Sequence, residues 1–151
     1  MRALIQRCSS ASVSMEGQPA RSIGNGYVIL LGVGPDDDEQ IARKMWEKIA
    51  KLRIFEDGDG KANLSLRDVG GSVLLVSQFT LYADCRRGNR PSFAGAGAAG
   101  MAESLYEYFA SLIRDEGIEL ACGWFGEMMD VSLVNDGPFT IWLDSDEVVR
   151  S

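Results

Sequence analysis

The chain has 151 residues, 46% of them apolar, a net charge of −7 and no histidine. That length and apolar content support one domain with a substantial core and exclude intrinsic disorder, while the acidic balance excludes nucleic-acid binding through bulk attraction. The missing imidazole removes the Ser-His and Cys-His hydrolase arrangements, so any chemistry here rests on hydroxyls, amides and backbone groups.

The N-terminal apolar stretch around Ala3-Leu4-Ile5 is too short for the core of a secretion signal. Residues Leu4 to Val13 and Met15 alternate partially with period two up to Glu16-Gly17-Gln18-Pro19, which predicts a leading hairpin. Tyr27 to Val33 is the longest apolar run, well below the roughly 20 residues of a membrane-spanning helix. It reads as a strand buried on both faces.

Asp36 is the expected N-cap of a following helix, with Glu39 completing a capping box. Ile41, Met45, Ile49 and Leu52 form its apolar stripe, and Trp46, one step off, is assigned to packing. Phe55 to Lys61 reads as a polar turn and Val73 to Val76 as a second buried strand. The Gly/Ala stretch 94–100 leads into a helix expected over Met101 to Glu116, with Leu105, Phe109, Leu112 and Ile113 inward and Gly117 as its stop. A short strand near Ile118 and two more, Met128 to Val134 and Phe139 to Leu143, complete one α+β domain over 1–151 with a largely antiparallel sheet and two main helices.

Cys8, Cys85 and Cys122 are widely spaced with no CxxC pair, so they are read as reduced thiols of a cytoplasmic protein and not as metal ligands. Gly32-Val33-Gly34 lacks the continuation of a phosphate loop and is read as a turn.

Two segments remain. In Ser77-Gln78-Phe79-Thr80, strand alternation places Ser77 and Phe79 on one face and Gln78 and Thr80 on the other. The hydroxyls and amide orient a polar substrate without ionising, or simply serve cross-strand bonding around a buried Phe. In Asn135-Asp136-Gly137-Pro138-Phe139-Thr140, Gly137-Pro138 reads as a plain turn. In a cis form, it would aim two consecutive carbonyls in fixed directions. Between the segments, Arg86, Arg87 and Arg90 form a basic cluster suited to phosphates.

Ser77 through Asp84, Arg87-Gly88-Asn89-Arg90-Pro91-Ser92-Phe93 and Asn135 through Thr140 resemble the signature motifs of the D-aminoacyl-tRNA deacylase family. Met1-Arg2, Gln6-Arg7, Asn63-Leu64-Ser65 and Phe125-Gly126 extend the resemblance from end to end. It implies an α+β fold with mixed sheets forming a barrel-like core, a cytoplasmic homodimer, and hydrolysis of the ester joining a D-amino acid, or glycine, to tRNA. It implies a cis Gly137-Pro138 that enters the partner subunit's pocket and rejects L-amino acids, with Arg7 bracing it. Ser77, Gln78, Phe79 and Thr80 would line the pocket, with Thr80 nearest the ester. The terminal 2′-hydroxyl of the tRNA would assist water, with no metal or cofactor. Arg86, Arg87 and Arg90 would meet the tRNA backbone.

Three departures stand out: Cys85 in place of a usual threonine, Phe139 in place of valine, and the Gly/Ala segment in place of a more polar one. The alternatives are an editing relative acting on L-aminoacyl esters and a non-catalytic protein that binds the tRNA end.

Overall fold

The computed structural model describes residues 1–149; Arg150 and Ser151, the last two of the single-domain reading, lie outside the described residues. The organising element is a long strand, β1 (Arg2–Ser14), which turns through Gly17 into β2 (Arg21–Ile23) as the predicted hairpin. Antiparallel to β1 along the same edge runs β3 (Gly26–Gly32). β6 (Ser72–Ser77) and β7 (Leu120–Cys122) then continue the sheet in parallel. The other edge of β1 is covered along its length by β8 (Asp130–Asp144).

The partial alternation of β1 has a physical cause. Ala3 and Ile5 face the helices, whereas Cys8 faces the opposite side of the sheet, as period two requires. A register shift between Cys8 and Ser10 then keeps Ala11 and Val13 on the side of Cys8. The strand thus serves two cores, and the bulge is what interrupts its pattern.

α1 (Glu39–Ala50) and α2 (Ala99–Asp115) pack on one face over Ile29, Leu31, Val73 and Leu75. On the other face, Val28, Leu74 and Val76 meet Cys8, Val13 and Ile23 beneath the curled sheet. β3 and β6 are therefore buried on both faces, as their continuous apolar runs predict. The sheet is mixed and nearly closed. Arg21 on β2 donates to the Cys122 carbonyl at 2.7 Å and lies 4.0 Å from the Trp124 ring, joining β2 to the far edge.

Several boundaries differ from expectation. The N-cap of α1 is Asp38, not Asp36: its carboxylate accepts from the Ile41 amide at 2.8 Å, so the Asp36–Glu39 box does not form. Asp37 is buried and accepts from the Met1 ammonium and the Gly34 amide at 2.7 and 2.6 Å. The buried stripe of α1 is Ala42, Met45, Trp46 and Ile49, with Leu52 beyond the helix end. The 55–61 turn joins two short strands, β4 (Phe55–Glu56) and β5 (Ala62–Leu64), and Phe55 is buried against Tyr27. α2 begins within the Gly/Ala stretch at Ala99, and one helical turn, α3 (Ser145–Val148), follows β8.

The last two predicted strands are one element. β8 pairs with β1 through Gln6↔Thr140 and Cys8↔Asn135, so residues 136–139 stand opposite Arg7 alone as an excursion in a continuous strand.

Candidate functional site

β6 delivers Ser77 to the edge of the sheet, where the chain stops being a strand. Phe79–Tyr82 is a 3-10 turn, so the predicted alternation of side chains from Ser77 to Thr80 does not hold. The turn is fastened at both ends. The Gln78 backbone N–H donates to the Leu31 carbonyl at 2.8 Å, and Arg2 donates to the Leu81 carbonyl at 2.9 Å while reaching Asp144 at 3.1 Å. The amides of Phe79 and Thr80, first in a helical turn, have no acceptor among the described residues.

Beside the turn opens a cleft of about 630 Å³, lined by Ser77, Gln78 and Phe79 with Phe93, Phe125 and Met129 among its apolar walls. Glu127 is the charged side chain on its lining. Phe79, 57% exposed, meets Phe93 edge-on at 5.1 Å. Gly97 forms part of the wall: a Cβ there would lie 3.0 Å from the Gly34 carbonyl oxygen. Thr80 does not line the cleft. Its hydroxyl accepts a short hydrogen bond from the side-chain amide of Gln78, which does line the cleft. The wall from Phe125 to Met129 was visible in the sequence only as the Phe125-Gly126 match, with no site role attached.

The Gly137-Pro138 peptide is cis, and both residues are exposed. Arg7, only 4% exposed, supports the excursion from beneath. Its Nε donates to the Asp136 carbonyl at 3.1 Å, Nη1 donates to the Ile54 carbonyl, and the guanidinium lies 5.0 Å from the Phe139 ring centroid. The structure thus joins Arg7 to the Gly-Pro segment. Asn135 and the Ile54 carbonyl were missed as parts of this support. Asn135 stood inside the quoted motif, but Ile54 comes from a distant loop and left no local signal. None of Arg7, Gly137 and Pro138 lines the cleft of the same protomer.

The arginine loop is closed by paired backbone bonds between Asp84 and Ser92, at 2.7 and 3.0 Å. Arg86 is not a free cation: its Nε and Nη2 donate to the two Asp84 carboxylate oxygens at 2.9 and 2.7 Å. These bonds hold the Asp84 carboxyl down to about 2, so it stays ionised at all physiological pH values. Arg87 and Arg90 are exposed and have no ion-pair partner among the described residues. If this loop meets phosphates, replacing Arg87 and Arg90 with alanine should flatten the salt dependence of tRNA binding by roughly 0.7–0.9 per lost contact. Replacing Arg86 should change it little. A slope unchanged in the double variant would place the tRNA elsewhere.

Among the described residues, no group of three His, Cys, Asp or Glu side chains could hold a metal ion, and no helix is long and apolar enough to cross a membrane.

Comparison with known proteins gives a consistent result. Residues 4–144 match the family model described as D-Tyr-tRNA(Tyr) deacylase. The chain is 53% identical over 147 residues to the D-aminoacyl-tRNA deacylase of Thermus aquaticus, covering 97% of each chain. It is 56% identical over 145 residues to that of Koribacter versatilis, covering 96% of this chain and 97% of the other. Among solved structures, a c-Myc DNA unwinding element binding protein superposes with a TM-score of 0.89 at 38% identity, over 96% of this chain and 99% of that one. A probable eukaryotic D-amino acid tRNA deacylase shares the fold, with a TM-score of 0.84 at 16% identity over 94% of this chain and 97% of that one. The long match of the family model and the identity to these relatives place the chain in the D-Tyr-tRNA(Tyr) deacylase family.

Proposed function

We propose that this protein hydrolyses the ester of D-aminoacyl-tRNA, and of glycyl-tRNA, as a cytoplasmic homodimer whose Gly137-Pro138 segment rejects L-amino acids in the partner's cleft. The observation that carries the reading is the apolar cleft lined by Ser77, Gln78 and Phe79, where the Phe79 amide opens the 3-10 turn with no acceptor among the described residues, in a chain of this family. A homodimer is supported by the separation of each gate from its own cleft. Exposed Phe79, Met128, Val134 and Trp142 also supply apolar surface for a partner.

In this mechanism water adds to the ester carbonyl and the amide of Phe79, a residue of the cleft lining, donates to the developing oxyanion. The carbon–oxygen bond to the ribose then breaks, and the ribose oxygen leaves with a proton. The neighbouring 2′-hydroxyl assists the water, which suits a chain without histidine. Ser77 and Gln78 orient the substrate, and the protein's contribution is positioning more than proton transfer.

The test is hydrolysis of D-tyrosyl-tRNA beside L-tyrosyl-tRNA with a chelator present. Loss of the D-ester alone is expected. Loss of the L-ester would point to an L-editing activity, and loss of neither to a protein that only binds the tRNA end. Thr80→Ala should slow hydrolysis of the D-ester without abolishing it, because Thr80 acts through its bond with the Gln78 amide. A rate equal to that of the unmodified protein would remove Thr80 from the site.

A further inference from the structure

We propose that Asn135 is a positioning residue that sets the D-over-L preference by tying the two ends of the Gly137-Pro138 excursion together. This inference rests on the gate reading above.

Residues 136–139 face only Arg7 across the strand pair, so they have no regular ladder to fix them. Side chains must do it. The Asn135 Nδ2 donates to the Arg7 carbonyl at 2.9 Å and to the Phe139 carbonyl at 3.0 Å. One amide therefore spans the mouth of the excursion, joining its far end to β1. On the other side of the amide, Oδ1 accepts from the Thr140 hydroxyl at 3.4 Å, and Thr140 accepts from the Gln6 side chain at 3.2 Å.

Arg7 and Asn135 hold different parts of the same segment. The Arg7 guanidinium holds the outgoing side through the Asp136 carbonyl, while Asn135 holds the returning end, at Phe139, to β1. Selectivity at a gate depends on where its backbone stands relative to a substrate, and a displacement of about 1 Å can cost on the order of a hundredfold in rate. A residue that clamps the base of the gate should act on the choice between D and L esters, not only on folding.

Asn135→Asp isolates this role. The side chain keeps its size and loses its two N–H donors, setting a carboxylate against two carbonyls. Because Asn135 is half-buried at the surface and outside both cores, the fold has no cavity to absorb. Asn135→Ser, whose single hydroxyl cannot bond both carbonyls, serves as a second variant if the first does not fold.

The measurement is kcat/KM for D-tyrosyl-tRNA and L-tyrosyl-tRNA with the unmodified protein, Asn135→Asp, Asn135→Ser and Gly137→Ala, together with each variant's urea midpoint. A fall in the D-over-L ratio of about tenfold or more in folded Asn135 variants is expected. A lowered urea midpoint with an unchanged ratio would reduce Asn135 to a structural role and overturn the inference. If Gly137→Ala lowers the ratio and the Asn135 variants do not, the inference alone fails. If the unmodified protein shows no D preference, or Gly137→Ala leaves the ratio intact, the gate reading itself falls.

Discussion

Gly137→Ala will lower the D-over-L ratio in kcat/KM while leaving the protein folded. Gly137 has a φ of +118°, a region that side-chain-bearing residues rarely occupy, and a Cβ built there would lie 2.7 Å from Arg7 Nη2. The segment must therefore turn away from its support or hold a conformation that costs about 1–3 kcal/mol. Spent on the gate, that is a loss of roughly 5- to 150-fold in selectivity. The residue is exposed and outside both cores, so the protein should stay folded, with a urea midpoint lowered by no more than that cost implies. An unchanged ratio would show that residue 137 does not touch the reacting end of the substrate.

The second large effect concerns the core. Trp46→Ala should destabilise the protein by about 3–5 kcal/mol, as expected for removal of a buried indole. Trp46 is 2% exposed, meets Phe109 of α2 edge-on at 5.9 Å, and donates its Nε1–H to Glu116 at 2.9 Å. It thus joins α1 to the end of α2, and its loss leaves a cavity between them. Urea unfolding with an unchanged slope and a lower midpoint is the expected record. A loss below about 1 kcal/mol would mean that the two helices close over the gap.

Trp46 also shows how far periodicity can be read. The stripe Ile41, Met45, Ile49 and Leu52 located the helix and its buried side approximately. The actual face is rotated toward Ala42 and Trp46 because α2 packs there, and helical spacing alone carries no information on where a second helix lies. The cap was ambiguous for a similar reason. Three consecutive aspartates, Asp36 to Asp38, could each start α1, and burial of Asp37 against the Met1 ammonium leaves Asp38 to cap it.

The candidate site divides the same way. Ser77, Gln78 and Phe79 were legible as one segment and do line one cleft. Thr80 was legible as a member of that segment, but in the 3-10 turn it leaves the cleft lining and bonds the Gln78 side chain. Arg86 looked like one of three equivalent cations until its bidentate bond with Asp84 set it apart.

By itself the sequence determined what depends on neighbours along the chain: two strands buried on both faces, two amphipathic helices, a hairpin, and the motifs that mark the family. Each writes its periodicity or residue order locally. Only the tertiary structure decided that β8 is one strand interrupted by an excursion, that a bulge sends β1 from one core to the other, and that the Ile54 carbonyl and the Asn135 amide support the Gly-Pro segment. The bonds from Arg7 to the Ile54 carbonyl and from Asn135 to the Arg7 carbonyl join residues far apart in sequence through backbone atoms, which every residue carries and which no side-chain pattern records.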